Sequence, residues 1–294
     1  ASWLQCSLNL LHSRNYKMAR QEVIKKYAVF GNPIEHSMSP LIHEYFAKNL
    51  KINLSYVPIL GSLGKFEKEA KIFLENGGSG FNVTLPFKED AFKLAETKSK
   101  IARITGSVNT ISIKNGVIHG DNTDGIGFVK DMKNNIEYDV NDKKILVVGA
   151  GGAAMGVIPS ILNENPSELK IYNRTFEKAK SLSDSFENIG PVEAVSQDKI
   201  HKHNFDLIIN ATSIGINNIK FELSKKILNT ETVCYDMSYG KISNSFKMWS
   251  NENNLKFHDG LGMLLEQAAE SFYIWELQRP VITEELKNNL KLSL

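Results

Sequence analysis

Residues 144–156, KILVVGAGGAAMG, decide the fold. Five apolar-leaning residues end on Gly149, then Gly151, Gly152 and a run of small residues open a helix-compatible stretch. A glycine fingerprint carries meaning only between a strand and a helix, and that context is present. Gly149 suits the tight turn, Gly151 lets backbone amides approach a pyrophosphate, and Ala154 is small enough for the third glycine position. Gly149, Ala150, Gly151, Gly152 and Ala153 are therefore candidate cofactor-binding residues, although a glycine-rich turn without a ligand would read the same way in isolation. Downstream the apolar runs LKIYN, PVEAV, FDLIINAT and TVCYDMS alternate with helical segments, the pattern of a doubly wound Rossmann-type sheet.

The end of the strand after the fingerprint bears on which dinucleotide is held. An NAD site usually places Asp or Glu there to accept hydrogen bonds from the ribose hydroxyls. This chain has Asn173, Arg174 and Thr175, with Lys178 one turn onward. A guanidinium grips a 2′-phosphate that a carboxylate would repel, so NADP is favoured. The competing reading makes Arg174 and Lys178 ordinary solvated residues at a helix start.

Upstream, YAVFG, LSYVPI and Phe81 to Thr84 read as strands separated by helices at Ser39 to about Leu50 and at 63–76, so the first half is also α/β and mostly parallel. TISIK, Asn115-Gly116 and VIHG form the strongest hairpin signal in the chain, which gives that sheet an antiparallel edge. After residue 260 a long apolar helix and a charged one have no strands to accompany and are expected to pack back on the first domain. The expected domains are 22–123 with 261–294 as the substrate-binding and catalytic domain, and 124–260 as the NADP-binding domain. Positions 1–21 hold three Lys or Arg and no acid, and read as a leader: a cloning-derived segment or misplaced start first, an organellar transit segment or a structural extension next.

Composition narrows the class. A hydrophobic share of 42% and a charged share of 23% are those of a soluble globular protein, with no apolar run long enough to span a membrane. Thirty-five Lys and Arg against 33 Asp and Glu leave +2, too balanced for a nucleic-acid footprint. Cys6 and Cys234 are far apart, which argues against a disulfide framework and for a reducing cytoplasm. The seven histidines show no metal-ligand spacing, so no metal is expected. Nothing in the sequence distinguishes a monomer from a homodimer.

Three polar clusters fall at the carboxyl ends of strands in the first half, where open α/β sheets bind ligands: HSMSP, NVTLPFK, and the pair SVNT and DNTDG. Each has a plain alternative, since Ser39 before Pro40 is a good helix start, Asn109 and Asn122 suit turns, and Lys88 suits a surface. Together with GNPIEHSMSPLIHE, FNVTLPFKE, GSVNTI, GDNTDGIGF, GAGGAA, NRT, INATSIG, CYDMSYG and DGLGMLLEQAA, they make the chain from about Tyr27 to Trp275 closely resemble the shikimate dehydrogenase family. That family reduces 3-dehydroshikimate with NADPH in aromatic amino-acid biosynthesis.

The resemblance implies roles. Ser37 and Ser39 would bind the substrate carboxylate, with Tyr239 nearby, and Asn82, Thr84, Asn109 and Gln267 would meet ring hydroxyls. Lys88 and Asp124 would form the catalytic pair. Thr212, Met237, Gly260 and Met263 would approach the nicotinamide half of NADP. Two departures stand out: Lys178 replaces the arginine of many relatives, and Lys100 stands where relatives often carry an acid near the cofactor. A broader enzyme using quinate or NAD, and a non-catalytic dinucleotide sensor on the same scaffold, are the rival readings. The sensor predicts a missing lysine or carboxylate, and both are present.

Overall fold

The computed structural model describes residues 24–217 and 219–293. The expectations for residues 1–21 and Cys6 lie outside the described residues. Two six-stranded sheets organise the chain. The first contains β1 (Lys25–Gly31), β2 (Leu54–Leu60), β3 (Gly78–Val83), β4 (Thr97–Lys98), β5 (Thr110–Lys114) and β6 (Val117–Asp121), ordered β2-β1-β3-β5-β6-β4. The second contains β7 (Lys144–Val148), β8 (Glu168–Tyr172), β9 (Val192–Ala194), β10 (Phe205–Asn210), β11 (Leu228–Asp236) and β12 (Lys256–His258), ordered β12-β11-β10-β7-β8-β9 and parallel throughout.

The α/β, mostly parallel first sheet and the Rossmann-type second sheet are as the sequence implies. In the first, α1 (Ser39–Leu50) and α2 (Phe66–Glu75) are the crossovers that a parallel β2-β1-β3 core requires. Pro40 supplies the preset φ of a first helical turn. The hairpin forms between β5 and β6, with positive φ at Asn115 and Gly116, as a type I′ turn demands. It is not the sheet's rim, because the two-residue β4 pairs with β6 outside it. A strand that short has no periodicity for a sequence to display.

The remaining helices are α3 (Lys88–Leu94), α4 (Lys100–Thr105), α5 (Asp124–Lys130), α6 (Gly152–Leu162), α7 (Phe176–Asp184), α8 (Asn244–Glu252), α9 (Leu261–Glu276) and α10 (Glu284–Leu292). A π-helical turn, Asp131–Asn135, follows α5. One core gathers Phe30, Phe66, Phe81 and Phe87 under the first sheet, and another packs Val157, Ile158 and Ile161 of α6 on the second. Ile42 and Phe46 of α1 meet Leu265, Ala268 and Phe272 of α9 and Leu286 of α10, so the C-terminal helices do return to the first lobe.

Helix α5 joins the lobes and is packed through glycines. A Cβ on Gly125 would lie 2.1 Å from Ser160 Oγ of α6, and one on Gly127 would lie 2.7 Å from Gln267 Cβ of α9. Cys234 is buried in β11, where burial pushes its thiol up to about 11. No helix among the described residues is long and apolar enough to cross a membrane.

Candidate active site

The carboxyl ends of β1, β3, β7, β8, β10 and β11 open on one cleft of about 1180 Å³. Every residue given a substrate, catalytic or cofactor role from the sequence lines it. The first lobe, the start of α5 and α9 contribute Ser37, Ser39, Asn82, Thr84, Lys88, Asn109, Asp124 and Gln267. The second lobe contributes Gly149 to Ala153, Asn173, Arg174, Thr175, Lys178, Thr212, Met237 and Tyr239, and Gly260 and Met263 lie at the start of α9. Lys100 opens α4 and is not part of this lining.

On the first lobe the polar side chains are fixed by one another. Lys88 Nζ lies 2.5 Å from Asp124 Oδ2, with the two side chains 21% and 11% exposed. The other oxygen of Asp124 accepts from Asn109 Nδ2 at 2.8 Å, and its backbone N–H donates to Asn122 Oδ1 at 3.0 Å. Asn109 Oδ1 in turn accepts from the Thr123 N–H at 2.9 Å and the Thr110 hydroxyl at 2.8 Å. The antiparallel register sets Asn82 opposite Thr110, and Asn82 Nδ2 donates to Asn109 O at 3.1 Å and Ser271 Oγ at 3.0 Å. Nearly every donor in this layer has an acceptor, which holds the side chains rigid without a ligand. Ser39 N–H donates to Ser37 Oγ at 3.3 Å, so the two serines share the turn that begins α1.

The second lobe offers a cradle of different character. Gly149 sits at φ +114, and a Cβ there would lie 2.8 Å from Ala211 O, so only glycine fits the turn. Gly151 and Gly152 differ, because a Cβ on either meets nothing within 4 Å. Their bare backbone faces open cleft at the N-terminus of α6, where unpaired N–H groups and the helix dipole favour an anion. Arg174 and Lys178 are exposed and have no ion-pair partner among the described residues. A phosphate-bearing dinucleotide fits these residues: room where side chains would stand, N–H donors beside it, and free cations at the far end.

Beyond that turn, Asn210 Oδ1 accepts from the Thr212 hydroxyl at 2.7 Å, and Asn210 Nδ2 donates to Asp236 Oδ2 at 2.9 Å. Burial raises the Asp236 carboxyl to about 6. Gly260 admits the Met237 carbonyl, which a Cβ would meet at 2.4 Å. Among the described residues no three His, Cys, Asp or Glu side chains are grouped to hold a metal ion.

Comparison with known proteins gives this cleft a family. The shikimate dehydrogenase substrate-binding domain matches residues 29–111, and the shikimate/quinate 5-dehydrogenase domain matches residues 131–241. The chain belongs to the shikimate dehydrogenase family. Shikimate dehydrogenase (NADP(+)) of Vibrio campbellii is 44% identical over 273 residues, covering 91% of this chain and 98% of that protein. The Chromobacterium violaceum protein of the same name is 42% identical over 267 residues, covering 90% and 97%. Shikimate 5-dehydrogenase of Thermus thermophilus, solved with NADP(H) and shikimate, superposes with a TM-score of 0.82 at 27% identity, covering 92% of this chain and 100% of that one.

Within this shikimate dehydrogenase fold, sequence reasoning missed the layer behind the cleft: Tyr56, Thr110, Thr123 and Ser271, all buried. Thr123 lies inside the quoted DNTDG string, and Ser271 lies four residues after Gln267 on the same face of α9. Those spacings were the available signal. Tyr56, inside LSYVPIL, gave none beyond that of a core aromatic.

Proposed function

We propose that this protein catalyses the reversible NADPH-dependent reduction of 3-dehydroshikimate to shikimate, with Lys88 and Asp124 as the catalytic pair. The observation that carries the reading is the 2.5 Å Lys88–Asp124 contact, set in the cleft between the polar lobe and the glycine turn. NADPH, when bound, supplies the hydride. The chain's own residues do the rest.

Hydride arriving at the C3 carbonyl carbon leaves negative charge on its oxygen, which needs a proton and a nearby cation. Lys88 Nζ supplies both. Asp124 keeps the ammonium aimed into the cleft, and is itself held by Asn109 from the opposite oxygen. In the oxidative direction Lys88 receives the proton from the substrate hydroxyl, with Asp124 beside it. Ser37 and Ser39 hydrogen-bond the substrate carboxylate at the positive end of α1. Tyr239, whose phenol burial raises and so keeps protonated, donates to the same anion. Asn82, Thr84, Asn109 and Gln267 meet the ring hydroxyls.

For the cofactor, Gly149 to Ala153 hold the pyrophosphate, and Asn173, Arg174, Thr175 and Lys178 surround the 2′-phosphate. Thr212, Met237, Gly260 and Met263 bound the nicotinamide. Residues 22–123 with 261–294 act as the substrate lobe and 124–260 as the cofactor lobe, and the enzyme works in the cytoplasm. The test follows NADPH absorbance after adding 3-dehydroshikimate, then reverses it with shikimate or quinate and NADP or NAD. Rapid NADPH consumption, with NADP strongly preferred over NAD, is expected. No consumption would overturn the activity, and equal efficiency with NAD would overturn the role of Arg174.

A further inference from the structure

Tyr56 is 2% exposed and rises from β2 behind the substrate side of the cleft without lining it. Its hydroxyl donates to Asn82 Oδ1 at 2.8 Å. Its ring is clamped, because His43 of α1 stacks on it at 4.3 Å and 5°, and Trp275 flanks it at 6.3 Å. Burial holds the phenol well above the ordinary tyrosine range, so it keeps its proton at any working pH.

The donor count at Asn82 gives this contact its meaning. The two Nδ2 hydrogens face three acceptors: Asn109 O at 3.1 Å, Thr110 Oγ1 at 3.1 Å and Ser271 Oγ at 3.0 Å. Exchanging the amide oxygen and nitrogen would press that oxygen against the Asn109 carbonyl, so only one orientation is allowed. With both hydrogens engaged and one lone pair taken by Tyr56, a single lone pair on Oδ1 is left for a ligand. We propose that Tyr56 is a positioning residue of the substrate pocket: its buried phenol holds the Asn82 amide so that Asn82 accepts from a substrate hydroxyl and donates to none. This pocket then selects a hydrogen-bond donor at that ring position. Ser271 supports the same amide from α9 but is one acceptor among three.

The proposal rests on the shikimate reading, and wild-type turnover of shikimate with NADP tests that reading separately. Steady-state kinetics of Tyr56→Phe, Asn82→Ala and the double variant test the proposal itself. Tyr56→Phe should raise the shikimate KM about tenfold, with kcat and the NADP KM within about twofold, since one hydrogen bond at a pocket wall is lost. In the Asn82→Ala background the same change should have no further effect on the shikimate KM. Ser271→Ala should stay within about twofold, because two acceptors remain.

An unchanged shikimate KM in Tyr56→Phe, or an equal rise in both backgrounds, would overturn the proposal while leaving the activity intact. A second measurement does not depend on the Tyr56 variant folding. Of two shikimate analogues carrying fluorine in place of the C4 or C5 hydroxyl, one should bind the wild type about tenfold more weakly, and Asn82→Ala should not distinguish it from shikimate. If neither analogue couples to Asn82, the acceptor role is wrong.

Discussion

Lys88 and Asp124 show how little of an active residue's chemistry lies in its own side chain. Lys88 opens α3, where a cation gains nothing from the helix dipole, and among the carboxylates of the described residues Asp124 alone holds it in the cleft. Replacing it with alanine removes the proton donor and the charge that meets the developing alkoxide. Asp124 keeps Asn109 as a partner, and neither the serine pair nor the glycine cradle is touched. Lys88→Ala should therefore lose about 10²–10⁴-fold in kcat, the usual contribution of general acid–base catalysis. Dissociation constants for shikimate and NADP, read by calorimetry, should stay within a few-fold. Wild-type-like turnover would remove Lys88 from the mechanism. Residues of this kind are legible because they recur in polar strings at strand ends, where a helix or strand has no need of them. Tyr56 and Ser271 were not, because a phenol inside an apolar strand and a hydroxyl inside a helix look like core filler until the fold brings them to Asn82.

At the scale of elements, the strand–glycine–helix unit could be read almost to the residue, and its glycines separate structure from function. Gly149 is needed by the fold, because its positive φ and the Ala211 carbonyl exclude a side chain. Gly151 has φ −100 and ψ −171, extended backbone open to any residue, with empty space at its Cβ. Gly151→Ala should leave the thermal midpoint within about 2 °C while raising the NADP KM on the order of tenfold, since the added methyl stands where a pyrophosphate would approach. An unchanged NADP KM would mean that the phosphate sits elsewhere. Among the elements that escaped the sequence were β4 with two residues, β12 with three, and the π-helical turn after α5. Each lacks a full period of side-chain alternation and is fixed by its neighbours, with Glu96 and Ser99 donating backbone N–H groups to Ile118 and Gly120 around β4.

Across the whole molecule, two buried titratable groups in different lobes act on stability in opposite directions as pH falls. His43, 1% exposed among Tyr56, Phe46, Phe272 and Trp275, has no hydrogen-bond partner among the described residues for either ring nitrogen. Burial lowers its pKa from 6.5 to about 3, and the Asn82 side chain that opposes the shift is not within bonding distance. Between those values the unfolded chain binds the extra proton, so acid favours unfolding, by about 2 kcal/mol near pH 5. Asp236 is the reverse case. Its folded pKa of about 6 exceeds the ordinary 3.8, so its contribution is present in acid and lost as pH rises through about 6. Near pH 5 it returns about 1 kcal/mol. The two largely offset in the wild type, with the acid loss somewhat the larger, so the wild-type pH profile alone cannot separate them. His43→Phe removes only the first, in a ring-lined site that a phenyl group fills without leaving an unmet polar atom. Relative to wild type, urea denaturation should show this variant gaining about 2 kcal/mol more near pH 5 than near pH 8. A difference independent of pH would mean that the imidazole is protonated inside the folded protein, and that the aromatic layer between α1 and α9 admits water.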